Sequence, residues 1–316
     1  MKNPTFQEDV NTLRSLLPTN DKEISVDFPQ YRGMTFKEFW EALPRKLEYF
    51  DYEEDIIKTL ESKKKIWIKK ATGLGVSEIF CRFIAWNCLK DDVWKNDQVD
   101  VSAVIITGAS QDLTNKIIGR IKNLFDLDFK TKESLVILNG CRIEAFPTMN
   151  LSPSRGLNPF LVLLDECDFF PSRYQDEART VAERYIPKTN PYIVMVSTPN
   201  LPGGLFQRME EEYEVMSEDN RKDFYVMKHL DYTVGLNKVF DPENIRVAKL
   251  SPSFGREYQL MYGMGLGDVY ENIDSIIQEY DLNIIGGRSG VYGDPAFGSS
   301  NFGVLGAEVR DGILYI

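Results

Sequence analysis

From residue 65 the chain alternates short β-branched apolar runs with helical patterns: "IWIKK", "SEIFCRFIAWNCL", "VSAVIITG", then "DLTNKIIGRIKNLF". A period that switches repeatedly between strand and helix specifies an α/β fold with a mostly parallel sheet and crossover helices. "FLVLLDE" at 160–166 and "YIVMVSTP" at 192–199 are unbroken apolar runs ending in polar residues, as expected of strands buried on both faces. "SLVILNGCRIEAFP" at 134–147 fits a hairpin inserted between βα units, with Asn139-Gly140 as its two-residue turn. Open α/β sheets bind ligands at the carboxyl ends of their strands. There the pattern places the loop after Lys70, the Asp165-Glu166 pair and Ser197-Thr198.

Composition narrows the function classes. With 316 residues, 43% of them hydrophobic, the chain can bury a substantial core. No apolar run reaches the roughly 20 residues that cross a bilayer, and "MKNPTFQEDVNTLRSLL" lacks a signal peptide's apolar centre. A soluble, intracellular protein without membrane contact is the expectation. Cys81, Cys88, Cys141 and Cys167 form no C-x-x-C pair, and His229 is the single histidine, so any metal must be held by carboxylates and hydroxyls. Cys81 and Cys88 read as buried helix residues and His229 as structural. A net charge of -11 argues against a passive nucleic-acid binder, because backbone binding needs Lys and Arg. The dense basic run "KKKIWIKK" at 63–70 reads as a solvated strand entry.

The chemistry concentrates in three clusters. In "KATGLGVS", Gly75 and Ser77 fall on the last glycine and the hydroxyl of the phosphate-loop pattern G-x-x-x-x-G-K-[ST], leaving Val76 where lysine belongs. The stretch Lys70, Ala71, Thr72, Gly73, Leu74, Gly75, Val76 and Ser77 still supplies small residues, N–H groups at a helix start, a hydroxyl for Mg²⁺ and, if Lys70 reaches back, a cation. By itself this is also a tight strand-to-helix turn. Next, Asp165 can orient Mg²⁺ through water while Glu166 polarises the water that attacks a γ-phosphate. In the third cluster, Ser197 and Thr198 end the following strand, where hydroxyls can sense that phosphate or simply terminate the strand.

On these residues the chain resembles the large terminase subunit of tailed viruses, the ATP-driven motor that packages double-stranded DNA into a capsid, over most of residues 45–316. Several such subunits have a deviant phosphate loop that opens with lysine, and Lys70 is similar to that residue. "SRGLNPFLVLLDECDFFP" resembles the family's Arg-Gly, strand, Asp-Glu sequence, which implies that Arg155 serves as an arginine finger in a neighbouring subunit's site. "VSTPN" is similar to the coupling motif, and "SFGREYQLMYGMGLGDVY" to the stretch between ATPase and nuclease domains. "YGDPAFGSSNFGVLGAE" resembles the opening of the RNase H-like nuclease domain, with Asp294 as its first metal-binding carboxylate. Two departures stand out: Tyr52 and Glu53 occupy the region where an adenine-reading glutamine is often found, and Asn301 stands where an acidic residue is common.

The resemblance implies a P-loop NTPase of the additional-strand, RecA-like type using ATP and Mg²⁺. It further implies double-stranded DNA, a homo-oligomeric ring on a portal and a small terminase subunit as partners, in the host cytoplasm at the procapsid. The expected division is a lead-in at 1–50 without obvious chemistry, an ATPase core at 51–204, a connecting subdomain at 205–288 and the first strands of the nuclease domain at 289–316. The last segment stops in an apolar run, so the sequence is expected to be a fragment with nuclease activity improbable. "DECD" at 165–168 also matches the second motif of DEAD-like helicases, and a non-catalytic docking module with a degenerate loop is the rival from another class.

Overall fold

The computed structural model describes residues 25–92, 101–125, 133–263, 288–294, 303–310 and 313–315. The lead-in before residue 25, residues 264–287 of the expected connector and Asn301 lie outside the described residues.

The chain forms two compact units, the first ending at Gly265 and the second beginning at Leu266. In the first, eight strands build one sheet: β1 (Ser25–Val26), β2 (Lys65–Lys70), β3 (Val101–Thr107), β4 (Leu135–Leu138), β5 (Cys141–Pro147), β6 (Asn158–Asp165), β7 (Tyr192–Ser197) and β8 (Val226–Leu230). Their order is β1-β4-β5-β3-β6-β7-β2-β8. Every pairing is parallel except β4 with β5. That exception is the expected hairpin, and Asn139 and Gly140 take φ of 49° and 81°, both left-handed as a type I′ turn requires.

The unbroken apolar runs are buried on both faces. Ile66, Ile68, Leu161, Leu163, Val194 and Val196 join one core with α1 (Phe36–Ala42), α2 (Asp51–Lys63), α3 (Val76–Leu89) and α4 (Gln111–Asn123). The alternate residues Trp67, Val162, Leu164, Ile193 and Met195 join a second core with α5 (Ser172–Glu183) and α6 (Leu205–Val215). A capping box between Thr35 and Glu38 starts α1, and Leu43, extended before Pro44, ends it. Cys81 and Cys88 are buried in α3, as expected.

The connector expected after residue 204 supplies strand β8, which pairs with β2, together with α6, α7 (Glu218–Asp223), α8 (Pro242–Ala248) and α9 (Phe254–Gln259); the first compact unit runs past it to Gly265. The strand-like pattern "FYVMKHL" is this half-buried edge strand. The basic run at 63–70 is not solvated at its end, where Lys69 and Lys70 are buried.

The second unit shows three antiparallel strands in the order β11-β10-β9: β9 (Arg288–Asp294), β10 (Gly303–Arg310) and β11 (Ile313–Tyr315). Asp294 ends β9 opposite Gly303.

Candidate active site

At the carboxyl edge of β2, β6 and β7 lies a cleft of about 700 Å³. Its walls include Lys70, Thr72, Gly73, Gly75, Val76, Ser77, Glu166 and Thr198 from the three predicted clusters. Gly73 and Gly75 take φ of 88° and 76°, a left-handed backbone that lets the loop turn sharply into α3. Ala71, Leu74 and Val76 face the core, leaving Thr72, Gly73 and Gly75 at the surface. Val76, in the usual lysine position, is thus a core residue.

The cation comes from Lys70. Its Nζ donates to Glu166 Oε1 at 2.7 Å and to Thr198 Oγ1 at 3.3 Å. Thr198 Oγ1 is in turn 3.3 Å from Thr72 Oγ1. Glu166 Oε2 accepts from Ser197 Oγ and from the Thr198 N–H, both at 3.3 Å. Ser197 therefore reaches the site through Glu166, and its hydroxyl also donates to the Thr198 carbonyl at 2.7 Å. Glu166 itself has φ of 54°. A left-handed backbone at a non-glycine residue costs of order 1 kcal/mol and clusters at functional sites.

Ser77 Oγ donates to Asp165 Oδ1 at 2.6 Å. Burial raises the Asp165 carboxyl above its ordinary value, the neighbouring Glu166 charge adds to this, and the Ser77 hydrogen bond and Lys70 oppose it. A hydroxyl and carboxylates at a phosphate loop suit Mg²⁺, which keeps several waters and needs few protein ligands. No cluster of three His, Cys, Asp or Glu able to hold a metal ion occurs among the described residues.

Asp168, the last residue of "DECD", turns away from the cleft. It accepts from Asn200 N at 2.7 Å and Phe206 N at 2.9 Å, tying the end of β6 to the "STPN" segment and the start of α6. His229 lies 3.3 Å from Glu210 and has its ring against Trp67, a structural setting.

Arg155, expected to act in a neighbouring subunit's site, does not line this cleft. It lies before β6, at the opposite sheet edge, exposed and 3.8 Å from Glu177. The eight residues of β6 at about 3.3 Å each separate it from Asp165. Within one chain it stands a strand's length from the cleft. The side chain of Asp294 and its surroundings lie outside the description.

Six cleft-lining residues escaped the sequence reading: Arg45, Leu47, Glu78, Arg120, Phe169 and Glu257. Arg45 and Leu47 fall in the lead-in that was expected to carry no chemistry. A buried arginine holds them there. Arg82 stacks 4.2 Å from the Trp40 ring, pairs with Glu78 at 3.0 Å and donates to the Arg45 carbonyl, while Trp40 Nε1 donates to the Leu47 carbonyl. Tyr52, where an adenine-reading glutamine was sought, donates to the Leu74 carbonyl at 2.9 Å and supports the loop from below. Burial raises the Glu53 carboxyl to about 7.

Strand order completes the assignment of class. β7 stands between the phosphate-loop strand β2 and the acidic strand β6, the inserted strand that defines a P-loop nucleoside triphosphatase fold of the additional-strand type. Within that class the fold is that of phage large terminases. The crystal structure of the HK97 bacteriophage large terminase matches 90% of this chain and 66% of that one, with a TM-score of 0.57 at 13% identity. The chain thus spans just under two thirds of the HK97 protein's length. The Thermus phage P74-26 large terminase ATPase domain matches 73% of this chain and 99% of its own, with a TM-score of 0.52 at 16% identity. The large terminase of another thermophilic bacteriophage, solved in complex with ADP, matches 85% of this chain and 67% of its own, with a TM-score of 0.52 at 10% identity. No family profile and no curated protein matches the sequence. No helix among the described residues is long and apolar enough to cross a membrane.

Proposed function

We propose that this chain is the ATPase part of a viral DNA-packaging motor that hydrolyses ATP to translocate double-stranded DNA into a procapsid. One observation carries the reading. Lys70, from the first position of a loop whose usual lysine position is filled by buried Val76, meets Glu166 and Thr198 in the same cleft as the Ser77–Asp165 pair.

ATP seats its phosphates on the loop N–H groups and on Lys70. The lysine then exchanges the Glu166 carboxylate for phosphate oxygens, which frees Glu166 to take a proton from water. That water attacks the γ-phosphorus, the bond to the bridging oxygen breaks, and ADP and phosphate leave. Ser77 and Asp165 would hold Mg²⁺, which neutralises charge on the β- and γ-phosphates when bound. Ser197 and Thr198, bonded to Glu166, relay the state of the site towards Asn200 and α6. Arg155 acts in trans on a neighbour's site, because its own cleft lies a sheet's length away. These features, with the shared fold, support a ring on a portal, fed by a small subunit in the host cytoplasm.

Residues 205–263 would serve the motor as a subdomain built onto the ATPase sheet. Asp294 would open an RNase H-like nuclease domain as a metal ligand.

ATP turnover of the chain with and without double-stranded DNA, beside Lys70→Ala, tests the reading. Turnover raised by DNA and lost in the variant is expected; turnover unaffected by the variant removes Lys70 from the site and the reading with it.

A further inference from the structure

One cleft residue runs against the chemistry proposed for the site. Glu257, on α9, brings a carboxylate to the phosphate loop, where Thr72 Oγ1 donates to its Oε2 and the Thr72 N–H donates to its carbonyl at 2.8 Å. Its other carboxylate oxygen is held by Arg256, from Nε at 3.0 Å and from an Nη at 2.8 Å. The Arg256 guanidinium in turn lies 5.8 Å from the ring of Phe169, which also lines the cleft. A fixed negative charge at a site for a polyanion has an energetic cost, so its position there needs a reason.

Thr72 marks which phosphate is affected. Its hydroxyl is 3.3 Å from that of Thr198, which is 3.3 Å from Lys70 Nζ, and Lys70 holds Glu166. Glu257 therefore acts at the hydrolytic end of the cleft, whereas Ser77, Glu78, Arg45 and Leu47 line the part next to the start of α3. The backbone around α9 is also constrained. Thr72 is bound to it through the main chain, and Leu260, next after the helix, takes φ of 62°. Tyr262 follows, and the Gly263 N–H donates to Asn200 of the segment after β7.

Resting on the nucleotide reading of the cleft, we infer that Glu257 is a specificity-determining residue that competes with the terminal phosphate of a nucleoside triphosphate for the Thr72 hydroxyl and the Arg256 guanidinium. A triphosphate displaces the carboxylate and a diphosphate leaves it in place. The position of Glu257 then reports which nucleotide is bound. A purely structural clamp predicts the opposite sign: breaking it would loosen the loop and weaken both nucleotides.

The test is equilibrium titration of the full chain with a non-hydrolysable ATP analogue and with ADP, both with Mg²⁺. Wild type, Glu257→Gln, Thr72→Val, the double variant and Lys70→Ala are compared. The analogue is expected to bind Glu257→Gln about tenfold more tightly, about 1.4 kcal/mol, with ADP changed less than about twofold and the gain shrinking in the Thr72→Val background. Glu257→Ala, which cannot bond Thr72 at all, is expected to show the same ordering. Unchanged or weakened analogue binding, or equal gains for both nucleotides, overturns the inference alone. Absence of binding by wild type, or binding indifferent to Lys70→Ala, overturns the nucleotide reading and the inference together.

Discussion

Lys69 and Lys70 are adjacent and chemically alike, yet successive strand side chains point to opposite faces. Lys70 shares the parity of Ile66 and Ile68 and meets Glu166; Lys69 shares that of Trp67 and meets Glu210 at 2.5 Å. Lys70→Ala is therefore expected to weaken nucleotide binding at least about tenfold. Lys69→Ala is expected to leave binding within about twofold and to lower the melting temperature by a few degrees. Nucleotide titration and thermal melts of the two variants separate the roles. At Glu166 the expected outcome is different again. Glu166→Gln retains nucleotide binding, because its amide can still face Thr198, while turnover falls by about 10²-fold or more with the loss of the base. Normal turnover by that variant would remove Glu166 from the mechanism.

Two elements are positioned by buried charge. Arg82, fully buried in α3, holds the 45–47 segment against the cleft through its bond to the Arg45 carbonyl and its stack on Trp40. Arg82→Met keeps the volume and strands Glu78, so unfolding by denaturant is expected to show a loss of about 3 kcal/mol. Nucleotide affinity should fall with it. On the opposite face, Glu210 of α6 binds Lys69 at 2.5 Å, Tyr262 at 2.8 Å and His229 at 3.3 Å, fastening α6 to β2 and β8. Burial would raise the Glu210 carboxyl, but the bonds from His229, Lys69 and Tyr262 outweigh it and hold the value at about 2. A depressed carboxylate contributes its stability in full above its ordinary range near 4.5 and loses it as pH falls towards 2. Wild type and Glu210→Gln should therefore differ by about 1 kcal/mol at pH 6, a figure reduced for solvent screening of a half-buried group, and converge near pH 2. Melting curves across that range check it.

For the whole molecule, the length of β6 between Arg155 and Asp165 makes concentration the informative variable. If Arg155 completes a neighbour's site, specific ATPase activity rises with protein concentration and Arg155→Ala flattens the rise; a flat wild-type response would exclude the role. The strands, the hairpin and the three site clusters were legible in the sequence, because each is local: apolar runs of strand length, Asn139-Gly140, and polar residues at strand ends. Lys70 could be named because a loop missing one cation has few places to find another. Arg45, Leu47, Arg120 and Glu257 could not, since each lies in a segment whose own pattern says only loop or helix, and the cleft gathers them from separate positions in the fold. The sequence by itself thus determined the sheet and the carboxyl edge where chemistry belongs, because backbone periodicity and strand ends are properties of short segments. Only the tertiary structure decided that Lys69 meets Glu210, where Arg155 stands and that Glu257 touches Thr72. The two contacts join residues 141 and 185 positions apart, whose approach depends on strand order and parity that no single segment encodes.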